Sequence, residues 1–479
     1  SVYRGGIIMS QSKKMLMAAA GSGGENGWFR TWGTLKGNRA ERVASDASGN
    51  IYSVGYTATL NGVSTVPVLE GIITKHNKDG ELQWERYFAL RLTPVTSFKT
   101  FFYDLDFDSS GNIACFGYDE AISNSNGTDI FCVKYNSNGD KVFDVSFTSP
   151  PNAQGIYIYA GKIDTSDDSI YFAGSRRNGN SFAATDAFLA KVSSDGTSIT
   201  WARKLETFRR NATLYAITLD SSGNVIGVGN VNTNTSSEAI LVKYNSSGVL
   251  QWQRKVDGGS SLVFEGVITD SSGNIYCAGH SQTGADPTFN GLILFKYNSS
   301  GVLQWKRRVD GTTSGQSAFG QDLAFAPDGT LIITGYLQWT SPTQSYSYGG
   351  YILNMDTDGT FIYDRAFGGS QFLNFGRTHF EGVTIQGNSM VHVGNTNIPS
   401  DAEIASVYER HLLDVKLPVD GSLTGTYRTY YIYESVGFSV VADSSTDNEG
   451  VIFSATSNLT TTSLGSPPNF EIYNRLTVI

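Results

Sequence analysis

Short apolar segments alternate with polar turns along most of the chain, and two copies of this pattern match closely. Residues 267–279 read Val-Ile-Thr-Asp-Ser-Ser-Gly-Asn-Ile-Tyr-Cys-Ala-Gly, and residues 217–229 read Ile-Thr-Leu-Asp-Ser-Ser-Gly-Asn-Val-Ile-Gly-Val-Gly. In both copies β-forming residues flank an Asx-type turn whose glycine can adopt a positive φ. The pattern therefore predicts a repeated β-hairpin.

Looser copies of this hairpin end at Gly55, Gly117, Gly174, Gly335 and Gly394, and a degenerate copy spans residues 440–455, which makes eight hairpins. Two further apolar strands follow a typical hairpin, as at 240–244 and 250–254. Four strands in a repeat of roughly 50 to 60 residues are typical of a propeller blade. We therefore predict an all-β fold, a single eight-bladed β-propeller with four-stranded blades, with seven blades as the alternative.

The two ends of the chain complement each other. Residues 28–30 read Trp-Phe-Arg and match the fourth strand at 252–254, whereas the last repeat has a third strand at 470–476 and no fourth. Pairing of residues 28–34 with 470–476 would cover the open edges of the array. This predicts a propeller domain over 28–479, closed by the N-terminal strand and preceded by an arm and linker over 1–27.

Composition excludes several classes of protein. The 479 residues include 53 Gly, 25 Tyr and 27 Phe, and only 16% are charged, which favours short strands over long helices. No apolar run approaches the roughly 20 residues of a membrane-spanning helix, so we expect no membrane insertion. The net charge of -9 argues against nucleic acid as a partner.

Chemical motifs are absent from the sequence. The five histidines lack metal-ligand spacing, and there is no nucleophile elbow or phosphate loop. The recurring aspartates fit turns that bond their own backbone better than calcium loops. Cys115, Cys132 and Cys277 fit buried packing positions. We therefore predict no catalytic residue, no metal, no cofactor and no enzymatic activity.

Candidate ligand-binding residues lie in the variable segments 56–70, 118–128, 336–349 and 395–410, which we place in loops on one face. Trp339, Tyr346 and Tyr348 combine aromatic rings with hydroxyl-rich neighbours, a composition that suits stacking on sugars. The alternative is that these aromatics order the loop or contact another subunit.

The repeat resembles the bacterial-type β-propeller repeat of surface and secreted proteins, over residues 28–479. Residues 13–21, Lys-Lys-Met-Leu-Met-Ala-Ala-Ala-Gly, resemble the leader of structural proteins in tailed phages, particularly marine ones. This resemblance implies a homo-oligomeric virion protein, located in the extracellular particle, that displays its propeller face to a host-surface glycan. The predicted arm residues, which would dock onto other virion proteins, are Ile7, Ile8, Met15, Leu16 and Met17.

Two other functions stay open at this point. One is a lectin-like adhesin of a bacterial surface, and the other is a propeller enzyme that degrades polysaccharide. An export signal would favour the adhesin, and carboxylates from different blades in one pocket would favour the enzyme.

Overall fold

A computed structural model describes twenty-one ranges of the chain. They are residues 13–17, 27–32, 38–59, 68–89, 98–121, 128–148, 155–177, 185–207, 211–232, 236–256, 261–282, 290–310, 316–341, 344–368, 378–396, 411–422, 425–427, 431–434, 439–442, 459–463 and 471–473. Within these ranges every regular element is a β-strand, which confirms the all-β prediction. The same ranges contain no helix long and apolar enough to cross a membrane.

The described strands form six hydrogen-bonded sheets, which divide into seven successive antiparallel units of four strands because the first two units share one sheet; β1 (Lys13–Met17) and β2 (Gly27–Trp32) precede them. The strands of units 1 to 4 are, four to each unit, β3 (Arg39–Ser45), β4 (Ile51–Thr59), β5 (Val68–His76), β6 (Leu82–Phe88), β7 (Phe98–Phe107), β8 (Ile113–Ala121), β9 (Thr128–Tyr135), β10 (Lys141–Thr148), β11 (Ile156–Asp164), β12 (Ser169–Arg177), β13 (Thr185–Val192), β14 (Ile199–Thr207), β15 (Ala212–Leu219), β16 (Val225–Asn232), β17 (Ser237–Tyr244) and β18 (Leu250–Val256).

Units 5 and 6 follow the same order, and unit 7 contributes three strands that are consecutive in sequence. The strands are β19 (Leu262–Thr269), β20 (Ile275–Ser281), β21 (Gly291–Tyr297), β22 (Leu303–Asp310), β23 (Gln316–Phe325), β24 (Leu331–Ser341), β25 (Gln344–Met355), β26 (Phe361–Gly368), β27 (Thr378–Gln386), β28 (Ser389–Thr396) and β29 (His411–Pro418). The fourth strand of unit 7 is β2, which pairs with β29.

The units pack face to face around their first strands. The first strand of each unit contacts the first strand of the next, and β27 of unit 7 contacts β3 of unit 1. Each of the seven seams holds its own cluster of buried apolar side chains. At the seam between units 7 and 1, for example, Trp28, Val43, Ile72 and Leu412 pack together. This is the blade packing of a β-propeller, in which the hydrophobic core is divided among the seams.

The predicted pairing of residues 28–34 with residues 470–476 is wrong. Trp28 pairs with Lys416 of β29, whereas β34 (Glu471–Tyr473), in the segment expected to pair with it, pairs with β10 of unit 2. The degenerate copy over 440–455 forms no unit in the described residues, and its first residues lie in β32 (Ser439–Ala442), which pairs with β22. The physical reason for the observed pairing is that β29 would otherwise leave an open sheet edge, and β2 covers this edge.

The segments outside the units add fifth strands to their outer edges. β1 pairs with β2, and β31 (Tyr431–Glu434) and β33 (Leu459–Ser463) pair with β26 and β14. The short strand β30 (Gly425–Tyr427) pairs with β31. Residues 13–17, part of the predicted arm, are therefore hydrogen-bonded to the outer strand of unit 7.

The Asp-Ser-Ser-Gly-Asn turns form as the sequence predicts. Asp270 Oδ1 accepts hydrogen bonds from the amides of Ser272 and Asn274 at 2.9 and 2.8 Å, and Gly273 has a φ of 76°. A side chain at this φ would be strained, so glycine is required there. These carboxylate oxygens complete the turn, which confirms the Asx-turn prediction.

A tryptophan and an arginine on outer strands fasten neighbouring units. In unit 4, Trp252 Nε1 donates to the Ser299 carbonyl at 3.2 Å and Arg254 Nε donates to the Gly301 carbonyl at 2.7 Å, both in unit 5. The same latch recurs at Trp84 with Arg86, Trp201 with Arg203, and Trp305 with Arg307.

At the seam between units 7 and 1 the N-terminal strand makes the same contact of a tryptophan ring with a turn glycine, without a hydrogen bond from the indole Nε1 to any described residue. Trp28 is 2% exposed, and a Cβ added at Gly80 would stand 2.7 Å from its ring, as a Cβ at Gly301 would from the ring of Trp252. The fourth-strand role that the sequence assigns to Trp28 is therefore correct, although its sheet partner differs.

Candidate functional site at the propeller axis

Every first strand carries a β-bulge at the same position, next to the propeller axis. A bulge inserts one residue that has no partner on the neighbouring strand and redirects its side chain. The bulges lie between the partners of the first and second strands in all seven units. We call the seven bulged residues the axial ring: Glu41, Tyr103, Tyr159, Tyr215, Glu265, Gln321 and Glu381.

Two carboxylates of the axial ring share one arginine. Arg39 Nε lies 3.1 Å from Glu41 Oε1, and Arg39 Nη2 lies 3.0 Å from Glu381 Oε1. Burial acts to lower the pKa of Arg39, but Glu381 and Glu41 outweigh it and raise that pKa well above its usual value. The guanidinium therefore bridges units 1 and 7 as a permanent cation.

A second arginine lies beside this pair and is held by backbone and carboxylates. Arg42 Nη1 donates to the carbonyls of Glu41 and Glu381 at 3.0 and 2.8 Å. Burial opposes the charge of Arg42, while Asp322 and Asp104 stabilise it and raise its pKa. Burial in turn raises the pKa of Asp104 to about 6, with Arg42 acting against the rise.

Glu265 faces these groups from unit 5. Burial raises its pKa to about 8, and Arg42 only partly offsets this. His280 Nδ1 lies 4.0 Å from Glu265 Oε1, and burial lowers the pKa of His280 to about 4. At neutral pH both side chains are therefore uncharged, and the Glu265 carboxyl is a hydrogen-bond donor as well as an acceptor.

Aromatic rings fill the other part of the axial ring. The rings of Tyr103 and Tyr215 each lie 5.5 Å from that of Tyr159 between them. All three side chains are partly exposed. Burial raises the pKa of each phenol, so the hydroxyls stay protonated and can donate hydrogen bonds.

A second aromatic stack borders the ring at units 6 and 7. Tyr336 stacks on His379 at 4.2 Å and on Phe319 at 4.5 Å between centroids. Tyr348 packs against His379 at 4.8 Å. Of the predicted ligand-binding residues, Tyr348 is thus the one whose described side chain joins this stack.

Trp339 and Tyr346 lie in strands rather than in the predicted loop. β24 and β25 continue almost to their connection, and Trp339 pairs with Ser347 in the extended hairpin. Alternating aromatic and hydroxyl residues suit a strand, and this explains why the segment is not a loop. Nothing here tests whether these residues bind a ligand, so their assignment stays a prediction.

The side chains of the predicted arm residues are not among those that the structure describes. Ile7 and Ile8 lie outside the described residues. Met15, Leu16 and Met17 lie in β1, where they pair with Phe29, Trp28 and Gly27. The division of the chain at residue 27, like docking of these residues onto a partner, stays a prediction.

The turn face holds a cavity of about 910 Å³, lined by residues of units 2 to 5 that include Asp106 and Lys162. Its aspartates are already engaged, since Asp220 pairs with Lys243 at 2.7 Å and Asp167 with Lys191 at 3.2 Å. In the ranges that the structure describes, no group of three or more His, Cys, Asp or Glu side chains is placed to hold a metal ion. The axial ring is therefore the stronger candidate site.

Sequence reasoning missed the axial ring, although a signal for it exists. Aligning the first strands of the units places Glu265, Glu381 and Tyr215 at one position, each followed by a glycine or alanine. Each of these small residues follows a bulged residue in the structure. A hairpin search aligned on the Asp-Ser-Ser-Gly-Asn turn does not examine this position.

No protein-family model matches the chain. A curated relative, an uncharacterized WD repeat-containing protein of Acanthamoeba polyphaga mimivirus, is 24% identical over 204 residues, and the match covers 34% of this chain and 14% of that protein. Similar solved structures include phage phi92 endosialidase, at 9% identity and a TM-score of 0.44, covering 85% of this chain and 69% of that one. A mutant of NanB sialidase from Streptococcus pneumoniae is 13% identical with a TM-score of 0.41, covering 81% and 69%.

These comparisons correct one prediction. The exclusion of enzymes is wrong as a general statement, because the similar structures include a sialidase and an endosialidase. At such low identities and TM-scores they assign no activity to this chain. The carboxyl groups of the axial ring, which sequence reasoning did not bring together, also remove the ground on which enzymes were excluded.

Proposed function

We propose that this protein is a closed seven-bladed β-propeller that binds carbohydrate at the axial ring. Closure is supported by the contact of β27 with β3 and by the pairing of β2 with β29. The carbohydrate assignment rests on one observation: partly exposed tyrosine rings stand beside carboxyl and guanidinium groups at the axis. Aromatic faces stack on sugar rings, and the polar groups bond their hydroxyls.

The main alternative is that the tyrosines serve only to pack the axis. Packing alone would favour fully buried apolar side chains, such as Phe102 and Phe116 at the seams, which are 0% exposed. Tyr103, Tyr159 and Tyr215 are instead partly exposed and keep hydroxyls that can donate. Exposed aromatic and polar groups together are what a sugar site needs.

Calorimetric titration with a panel of oligosaccharides tests the proposal. Tyr159→Ala removes the central ring of the tyrosine row, and we expect it to weaken binding about fivefold, for a loss of roughly 1 kcal/mol of stacking. Tyr87→Ala is the matched control, since Tyr87 is 38% exposed on the outer strand β6. Equal affinities for the two variants, or no binding by the wild-type protein to any sugar, would refute the site. Assaying the same mixtures for new reducing ends distinguishes binding from cleavage.

A place on a phage particle is also part of the proposal. Its support is the leader over 13–21, which resembles those of tailed-phage structural proteins. In this view the leader region attaches to other virion proteins and the axial ring is displayed to a host-surface glycan. Immunoblotting purified particles, with a chain lacking residues 1–25 as comparison, tests this part independently of sugar binding.

A further inference from the structure

The cations at the axis are already engaged by carboxylates or carbonyls. Arg39 is shared between Glu41 and Glu381. Lys162 Nζ lies 2.9 Å from Asp106 Oδ1. A sugar carboxylate or sulfate needs a guanidinium or ammonium that is free to pair with it. An acidic sugar would therefore compete with a buried protein carboxylate for the charge of Arg39.

The balance of charge at the axis points the same way. Among the described residues, the charged groups that influence one another there are six carboxyl groups and three cations: Glu41, Asp104, Asp106, Glu265, Asp322 and Glu381, against Arg39, Arg42 and Lys162. Three of the carboxyl groups, those of Asp104, Asp322 and Glu265, have pKa values raised chiefly by burial, so a negative charge is unfavourable there. The carboxylates at the axis would also repel a further anion.

A cation further from the axis does not change this excess of carboxyl groups over cations. Arg177, at the end of β12, lies over the ring of Tyr157 at 5.4 Å and belongs to the border of the site. Hydroxyl groups, by contrast, meet suitable partners throughout the ring, because carboxylates accept and tyrosine hydroxyls donate hydrogen bonds.

Building on the proposed carbohydrate function, we propose that the axial ring selects uncharged sugars and rejects sugars that carry a carboxylate or sulfate. The selectivity comes from pairing of Arg39 with Glu41 and Glu381, which withholds its guanidinium from acidic ligands. The ligand class is thus a neutral glycan, bound by stacking on tyrosine and by hydroxyl hydrogen bonds.

Matched pairs of oligosaccharides test this selectivity by calorimetry. The two members of a pair share one scaffold and differ in charge. One pair is a glucose oligomer and a glucuronate oligomer. The other is a galactose-ended chain with and without a terminal sialic acid. We expect the neutral member to bind and the acidic member to bind about tenfold more weakly or worse. Equal or tighter binding of acidic members would overturn the inference and leave carbohydrate binding intact. Absence of binding by every sugar would overturn both.

Variants identify the groups responsible. Glu381→Gln releases Arg39 from one partner and should raise affinity for acidic sugars while changing neutral binding less. Asp79→Asn, at an exposed turn, removes the same charge far from the axis and should change neither. If Glu381→Gln does not fold, Glu41→Gln provides the second test, because it releases the Arg39 guanidinium from its other carboxylate. Unchanged rejection of acidic sugars in the folded variant would contradict the assigned role.

Discussion

Replacement of Glu265 by glutamine should stabilise the protein at alkaline pH and have little effect at acidic pH. The pKa of Glu265 rises from 4.5 to about 8 because burial penalises its charged form. Its side chain is 20% exposed and faces Arg42, Glu381, Arg39 and His280. Glutamine keeps the shape and hydrogen-bonding capacity of the protonated carboxyl but cannot ionise.

The sign follows from proton binding. Between pH 4.5 and pH 8 the folded wild-type protein keeps the Glu265 proton, whereas the unfolded chain has released it. Because the unfolded state binds fewer protons, the contribution of Glu265 to stability falls as pH rises through this window. A pKa raised from 4.5 to about 8 corresponds to a ceiling of about 5 kcal/mol. Relaxation around a partly exposed group lowers this, and we expect roughly 2 kcal/mol at pH 8.5.

Urea unfolding followed by tryptophan fluorescence measures the effect. The difference between Glu265→Gln and the wild-type protein should be close to zero at pH 4.5 and favour the variant at pH 8.5. Glu81→Gln, at an exposed turn, is the matched control for loss of one carboxylate. An equal difference at both pH values, or a variant that is less stable at pH 8.5, would refute the assignment of Glu265 as a buried, protonated carboxyl.

Two further predictions concern the latches and the leader. Arg254→Met removes the hydrogen bonds to Ser300 and Gly301 and should lower the free energy of unfolding by about 1–3 kcal/mol in urea titrations. The control Gln251→Ala loses one exposed hydrogen bond and should change this free energy little. Equal effects of the two substitutions would contradict the latch. Deletion of residues 1–25 removes β1 but keeps β2, so the thermal midpoint measured by circular dichroism should barely change. Deletion of residues 1–32 also removes Trp28 and should lower that midpoint markedly. If the protein that lacks residues 1–25 is unfolded, the leader is integral to the fold.

The sequence is sufficient to predict the hairpins, because their turns depend on local chemistry. Asp46 and Asp270 each fold back on the next few amides, and this needs only neighbouring residues. The pairing of the chain ends depends instead on distant edges that compete for one strand. The sequence correctly assigns Trp28 to a fourth strand. Whether that strand pairs with β29, as observed, or with residues 470–476, as predicted, depends on how many units lie between Trp28 and the open edge.

The candidate site was harder to predict for a related reason. Glu265, Arg42 and Glu381 come from three different units, and only the packing of those units brings them together. The raised pKa of Glu265 follows from burial, which no local pattern reports. Aromatic composition alone singles out Tyr348, which packs on His379 beside the axial ring, and its role in ligand binding stays a prediction.

The origin of unit 7 from both ends of the chain has a consequence for biosynthesis. β2 leaves the ribosome before its partner β29, which follows only after residues 33–410 have been made. At ordinary elongation rates this delay is on the order of 20–80 s. Until β29 is made, Trp28 and the apolar edge of unit 1 stay uncovered on the nascent chain, so aggregation competes with closure of unit 7 during this delay.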